Sequence, residues 1–177
     1  MQDATNSEPI FAPSRMPDVP FGIAHPEQVT GLSGLDVIRA IPTGALPAPP
    51  MAQTLQQWIE VADKGRAEFR GNPSNAYLNP MGLIHGGWTM ALLDSAMGCA
   101  VQTILDAGEM YVSLGTEVKF MRPITAKMGQ VRAIGTVIDR TRQTASAEAR
   151  VEDQSGRILA TGTSTCFLMP AKQERQE

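Results

Sequence analysis

The chain has 177 residues, 42% of them hydrophobic and 19% charged, with a formal net charge of −3 at pH 7. That length fits one domain with or without a tail, and the composition is that of a folded chain rather than a disordered one. The acidic balance gives no general attraction for polyanions, so nucleic acid is not expected as a partner. The two cysteines, Cys99 and Cys166, lie far apart, without CxxC spacing or histidine neighbours, and read as small buried hydrophobes rather than as a zinc or redox pair. The first twenty residues lack a basic segment followed by an apolar one, and no run of about 18 apolar residues occurs. A cytoplasmic protein with no membrane span is the expectation.

In chain order, residues 1–30 carry Pro9, Pro13, Pro17, Pro20 and Pro26 among small and polar residues, which predicts an irregular N-terminal extension. Ile10, Phe11, Phe21 and Ile23 would be out of place in a free tail and raise the expectation that the extension wraps over a neighbouring subunit. The folded domain is expected over 31–169, with a C-terminal tail at 170–177. In Ser33-Gly-Leu-Asp-Val-Ile-Arg-Ala-Ile41, Ser33 can cap a short helix whose Leu35, Ile38 and Ile41 recur at three-residue spacing. The prolines and glycine of 42–50 end it. Gln57–Ala62 and Arg66–Arg70 flank Asp63-Lys-Gly65 and predict a hairpin.

A helix is predicted from Gly87 to about Leu105, because Met90, Ala91, Leu92, Leu93, Ala96, Met97, Cys99, Ala100, Val101, Ile104 and Leu105 make it apolar on nearly every face. A helix of that kind, too short to cross a bilayer comfortably, belongs inside a protein. Tyr111–Met121, Gly129–Ile138, Thr144–Glu152 and Arg157–Phe167 alternate and are rich in Val, Ile, Thr and Phe, and predict four strands in an antiparallel meander. One buried helix with about six antiparallel strands is an α+β domain in which a sheet wraps around a helix.

Asp94 is the one charged residue between His85 and Asp106. A carboxylate in such a setting is either satisfied by a serine or backbone amide or kept for proton transfer, and burial would raise its pKa towards the range a general base needs. Upstream, Asn79-Pro-Met-Gly-Leu-Ile-His-Gly-Gly87 leads into the helix, whose first amides lack intrahelical partners. Gly86 and Gly87 carry no side chain to block a carbonyl from those donors, although a glycine turn before a helix is also common.

The run His85-Gly-Gly-Trp-Thr-Met-Ala-Leu-Leu-Asp94-Ser-Ala, followed by Tyr111-Val-Ser-Leu-Gly-Thr-Glu-Val-Lys-Phe-Met-Arg-Pro123, resembles the hotdog-fold thioesterases of the phenylacetate-degradation (PaaI-like) type, with a match in pattern from about Leu32 to Phe167. The resemblance implies hydrolysis of an acyl-CoA thioester, with Asp94 as general base or nucleophile and the Gly86 amide as oxyanion donor. Asn79 would assist or hold the loop, Ser113 would orient water or the carboxylate, and His85 would hold shape. It implies sites at subunit boundaries and self-association to a dimer or homotetramer. Gly87 and the strand-end arginines Arg122, Arg140 and Arg142 are candidates for binding the substrate, the arginines through the phosphates of coenzyme A. Gly115 departs from the hydroxyl pairs found in many members and would loosen the strand beside the pocket.

No cofactor is expected beyond coenzyme A as part of the substrate, and no metal, since the two histidines lack ligand spacing and company. A non-catalytic acyl-CoA sensor is the alternative, which predicts a fused DNA-binding segment that residues 1–30 do not resemble. A hydratase would need a different motif with a His-Asp pair.

Overall fold

A computed structural model describes residues 9–169. Helix α1 spans Pro26–Val29, α2 Gly34–Ala40, α3 Pro50–Leu55 and α4 Gly86–Gln102. Strands β1 (Gln57–Asp63) and β2 (Arg66–Gly71) precede α4, and β3 (Met110–Phe120), β4 (Val131–Arg140), β5 (Thr144–Glu152) and β6 (Ile158–Met169) follow it. The Ser33 hydroxyl caps α2 by accepting from the Asp36 N–H, as its position predicts. The β1–β2 hairpin closes where Gly65 adopts φ 77°, a conformation costly for other residues. Helices α1 and α3, each starting at a proline, were not anticipated. The C-terminal tail at 170–177 lies outside the described residues, as do residues 1–8.

The six strands form one antiparallel sheet in the order β1-β2-β4-β5-β6-β3, with α4 packed against it. This is the hotdog arrangement. The expected meander is corrected at one point: β3 does not neighbour β4 but pairs with β6 at the far edge. The ten residues between β3 and β4 are long enough to cross the sheet, a choice that strand patterning does not constrain.

Residues of alternating parity point from the sheet towards α4, and on β4 and β5 they are small: Ala133, Gly135, Ala145, Ala147 and Ala149. Small residues on the sheet let the larger Leu92, Leu93, Met97 and Val101 of the helix reach the core, where each is fully buried. Contact is tightest at Gly135, where an added Cβ would fall on the Ala96 carbonyl and the Met97 amide.

The N-terminal extension packs on its own chain through Phe11, while Ile10 and Ile23 stay exposed. The Phe11 ring is buried between the guanidinium groups of Arg70 at 4.4 Å and Arg132 at 5.0 Å. Beneath it Glu68 pairs with Arg70 at 2.6 Å, and Glu152 pairs with Arg132 at 3.0 Å. Ser14 exchanges backbone hydrogen bonds with the Gln130 amide and donates its hydroxyl to Glu60. The described part of the extension is thus anchored by contacts to β1, β2, β4 and the residue before β4, and apart from α1 and a bridge at Phe21 it lacks regular structure.

In the β5–β6 turn, burial alone would raise the Asp153 carboxyl, but bonds from the Ser155 hydroxyl, the Arg157 guanidinium and both backbone amides outweigh it and hold the pKa below the usual range. A carboxylate with a depressed folded pKa adds stability that is complete above its unfolded value and is lost as pH falls through the folded one.

Two outcomes are expected. Gly135→Ala should cost about 1–3 kcal/mol through overpacking, read as a fall of several degrees in the thermal midpoint. Asp153→Asn should flatten the decline of unfolding free energy on acidification from about pH 5 to pH 2, measured by denaturant titration at each pH.

Candidate active site

The loop into α4 is held at several points. The His85 N–H donates to the Tyr77 carbonyl at 2.7 Å and the Ile84 N–H to the Ile124 carbonyl at 3.0 Å. Asn79 Oδ1 accepts from the Met81 and Leu83 amides at 2.9 and 3.1 Å, so this side chain holds the loop. Trp88, buried in the first turn of α4, donates from Nε1 to the Leu55 carbonyl and stacks on Tyr77 at 5.9 Å.

The first helical amides are divided in use. His85 Nδ1 accepts from the Gly87 N–H at 2.9 Å, capping the helix with an imidazole in place of the usual hydroxyl or carboxylate. A Cβ on Gly87 would lie 3.0 Å from that nitrogen, which is why the second glycine matters. The Gly86 N–H, at the first helical position, has no acceptor among the described residues and sits at the positive end of the α4 dipole. The Phe120 ring packs over Gly86, 3.1 Å from where a Cβ would stand.

Beside this amide lies a cleft of about 330 Å³ lined by Asn79, Gly86, Thr89, Arg122 and a run of apolar residues, among them Leu83, Ile84, Phe120, Met121 and Ile124. The cleft therefore combines a free backbone donor with walls suited to an apolar group.

Asp94 is where the structure corrects the expectation most. Its carboxylate is not buried in the chain: it lies on an exposed stripe of α4 with Gly87 and Met90, because the sheet wraps only part of the helix circumference. The Thr116 hydroxyl lies 3.4 Å from Asp94 Oδ1 and 3.2 Å from the Ser164 hydroxyl. Thr116 was missed because strict alternation puts it on the opposite face from Ser113. A bulge in β3 between Ser113 and Gly115 resets the alternation, so both hydroxyls face α4. Ser113 pairs with Cys166, whose thiol its hydroxyl contacts. Nearby, burial and then the Asp94 charge push the Cys99 thiol up to about 12, so it stays protonated.

Gly86 and Asp94 are eight residues apart on one helix, which separates them by about 12 Å along the axis. One carbonyl cannot reach both within a single chain. The arginines diverge as well. Arg122 lines the cleft, with its guanidinium donating to the Ile158 carbonyl. Arg140 is held by both Glu109 oxygens and the Ile104 carbonyl. Arg140 and the exposed Arg142 stand at the far end of α4 from Gly86, so the three do not form one site in the chain.

Among the described residues no helix is long and apolar enough to cross a membrane. No curated protein sequence matches the chain. The family model for the thioesterase superfamily matches residues 81–160, from the loop before α4 into β6. A phenylacetic acid degradation-related protein of Ralstonia eutropha is 29% identical with TM-score 0.66, over 76% of this chain and 98% of that one. The TT0310 protein of Thermus thermophilus is 30% identical with TM-score 0.61, over 67% and 96%. The E. coli PaaI protein from the phenylacetic acid degradation operon, at 23% identity and TM-score 0.63 over 69% and 86%, shares the fold. The free Gly86 donor and the carboxylate on α4 thus fall within the matched segment, and the chain belongs to the thioesterase superfamily.

Proposed function

We propose that the protein hydrolyses an acyl-CoA thioester to the free acid and coenzyme A, at a site completed by a second copy of the chain. The observation that carries this is the division of the machinery: an unsatisfied Gly86 amide at an apolar cleft, and an exposed Asp94 about 12 Å further along the same helix. Each needs what the other end of a second helix supplies.

The edge strand β3 supports the arrangement. It is eleven residues long, has no strand among the described residues on its outer side, and exposes Met110, Val112, Leu114 and Phe120. Such an edge invites pairing with another strand. Thr116 stands beside Asp94 and Phe120 beside Gly86, so an antiparallel pairing of two β3 strands about Val118 brings each Asp94 towards the Gly86 of the other chain.

In the reaction, the Gly86 N–H donates to the thioester carbonyl oxygen and stabilises the negative charge that develops there, an effect worth on the order of 3 kcal/mol for one preorganised donor. The partner subunit's Asp94 takes a proton from water as the water oxygen bonds to the carbonyl carbon. Collapse of the tetrahedral intermediate breaks the C–S bond, and the thiolate leaves with the proton that Asp94 returns. Direct attack by the carboxylate, followed by hydrolysis of the anhydride, uses the same two groups. His85 supports the donor through the Gly87 amide, Asn79 holds the loop, and Thr116 with Ser113 orients the carboxylate or the water. Arg122 at the cleft is placed to meet a coenzyme A phosphate, and Arg140 and Arg142 could do so only across the subunit boundary.

Asp94→Asn should keep the thermal midpoint, since the side chain is exposed, and lower kcat by about 10²–10⁴-fold, because an amide cannot accept the proton. Thiol release from a panel of acyl-CoAs reads this directly, and similar rates in both proteins would remove Asp94 from the mechanism. The double variant Val112→Asp, Leu114→Asp should sediment as a monomer of native circular dichroism and lose at least about 100-fold in turnover, as the two half-sites separate. A fully active monomer would show that one chain is sufficient.

A further inference from the structure

Tyr111 is the one large residue on the inner face of β3 with no part in the chemistry above. Its ring crosses to α4, and its hydroxyl lies against Gly98, where an added Cβ would collide with it. Gly98 is one helical turn beyond Asp94, about 6 Å along the axis. The residue is half-buried, and its hydroxyl makes no hydrogen bond to any described residue. Such a phenol has its O–H free to donate to a group from outside the chain. Burial first, then the neighbouring Cys99, Cys166 and Asp94, push its pKa upwards, so it keeps its proton at any working pH.

The register argued for β3 fixes what Tyr111 would face. If Thr116 of one copy comes beside Phe120 of the other, Tyr111 falls beside the Ile124 end of the other copy's cleft. That cleft starts at the Gly86 donor and continues between Leu83, Ile84, Met121 and Ile124, so an acyl group whose carbonyl is held at Gly86 has an apolar channel to enter. We propose that the partner subunit's Tyr111 closes this channel and donates its hydroxyl to a polar atom at the far end of the acyl group, making Tyr111 the specificity-determining residue. The acyl group it selects is short, reaching about 6 Å past the carbonyl by the helical rise between Asp94 and Gly98, and ends in an oxygen. Gly98 carries no side chain because the phenol occupies that space.

The inference rests on the acyl-CoA hydrolase reading, and the experiment separates the two. Values of kcat/KM are measured for the wild type, Tyr111→Phe and Tyr111→Ala with pentanoyl-, 5-hydroxypentanoyl- and lauroyl-CoA, alongside thermal midpoints. The wild type should favour 5-hydroxypentanoyl over pentanoyl by about tenfold or more, since a site that presents a buried donor rejects the analogue lacking an acceptor. Tyr111→Phe should abolish that preference, bringing the ratio of the two kcat/KM values to within about twofold of one, as the ring shape is unchanged and the donor is lost. Tyr111→Ala should raise the lauroyl-to-pentanoyl ratio by about tenfold or more, by opening the channel end. If all three thioesters slow together in the variants with unchanged ratios, Tyr111 is a packing residue and the inference is overturned while the hydrolase stands. If the wild type cleaves none of a wider acyl-CoA panel, the hydrolase reading fails first and takes this one with it. Should Tyr111→Ala fail to fold, the hydroxyl preference in Tyr111→Phe still decides.

Discussion

The close seat of α4 on the sheet is the constraint from which the rest of the molecule follows. Alanine and glycine on the inner face of β4 and β5 bring the helix backbone to within contact of the strands at Gly135. That proximity buries Leu92, Leu93, Met97 and Val101 completely, and burial on this scale is worth about 1.5–3 kcal/mol for each large side chain. It also fixes the helix about its own axis. Once the leucines and Met97 face the strands, Gly87, Met90 and Asp94 face outwards, so the packing of the core decides where the chemistry points.

A second consequence concerns the ends of the helix. The first amides of a helix have no partners within the helix itself. The loop answers with internal partners: His85 takes the Gly87 amide, Asn79 takes two amides of the preceding turn, and Tyr77 and Ile124 take the amides of His85 and Ile84. What is left over is the Gly86 N–H beside an apolar cleft. A donor left unpaired in an otherwise satisfied loop is a structural cost that a ligand can remove, and a site that binds a developing oxyanion is one use for it.

The outer surface of the sheet is treated unequally. Over β1, β2 and β4 the N-terminal extension inserts Phe11 between Arg70 and Arg132, above a group of paired charges. Each charge there has an opposite partner, which limits the desolvation cost of covering them. At the other side of the sheet, β3 keeps a long free edge with exposed apolar residues. The covered side fits a chain that finishes itself, and the open side fits one that meets a copy, so the same strand that borders Asp94 is the strand available for association.

Much of this was written in the sequence by itself. The short capped helix at Ser33, the β1–β2 hairpin, the long apolar helix and the four later strands are local facts, set by capping, turn residues and hydrophobic period. The glycines before the helix and the carboxylate within it were equally legible, since they stand in one short run with a distinctive order. Three matters needed the tertiary structure. The position of β3 at the sheet edge depends on a crossover that no local period encodes, the bulge beside Leu114 reverses which of its hydroxyls face α4, and the exposure of Asp94 depends on how far around the helix the sheet extends. Composition tells that a helix is apolar all round, but only packing decides which side of it the sheet leaves open.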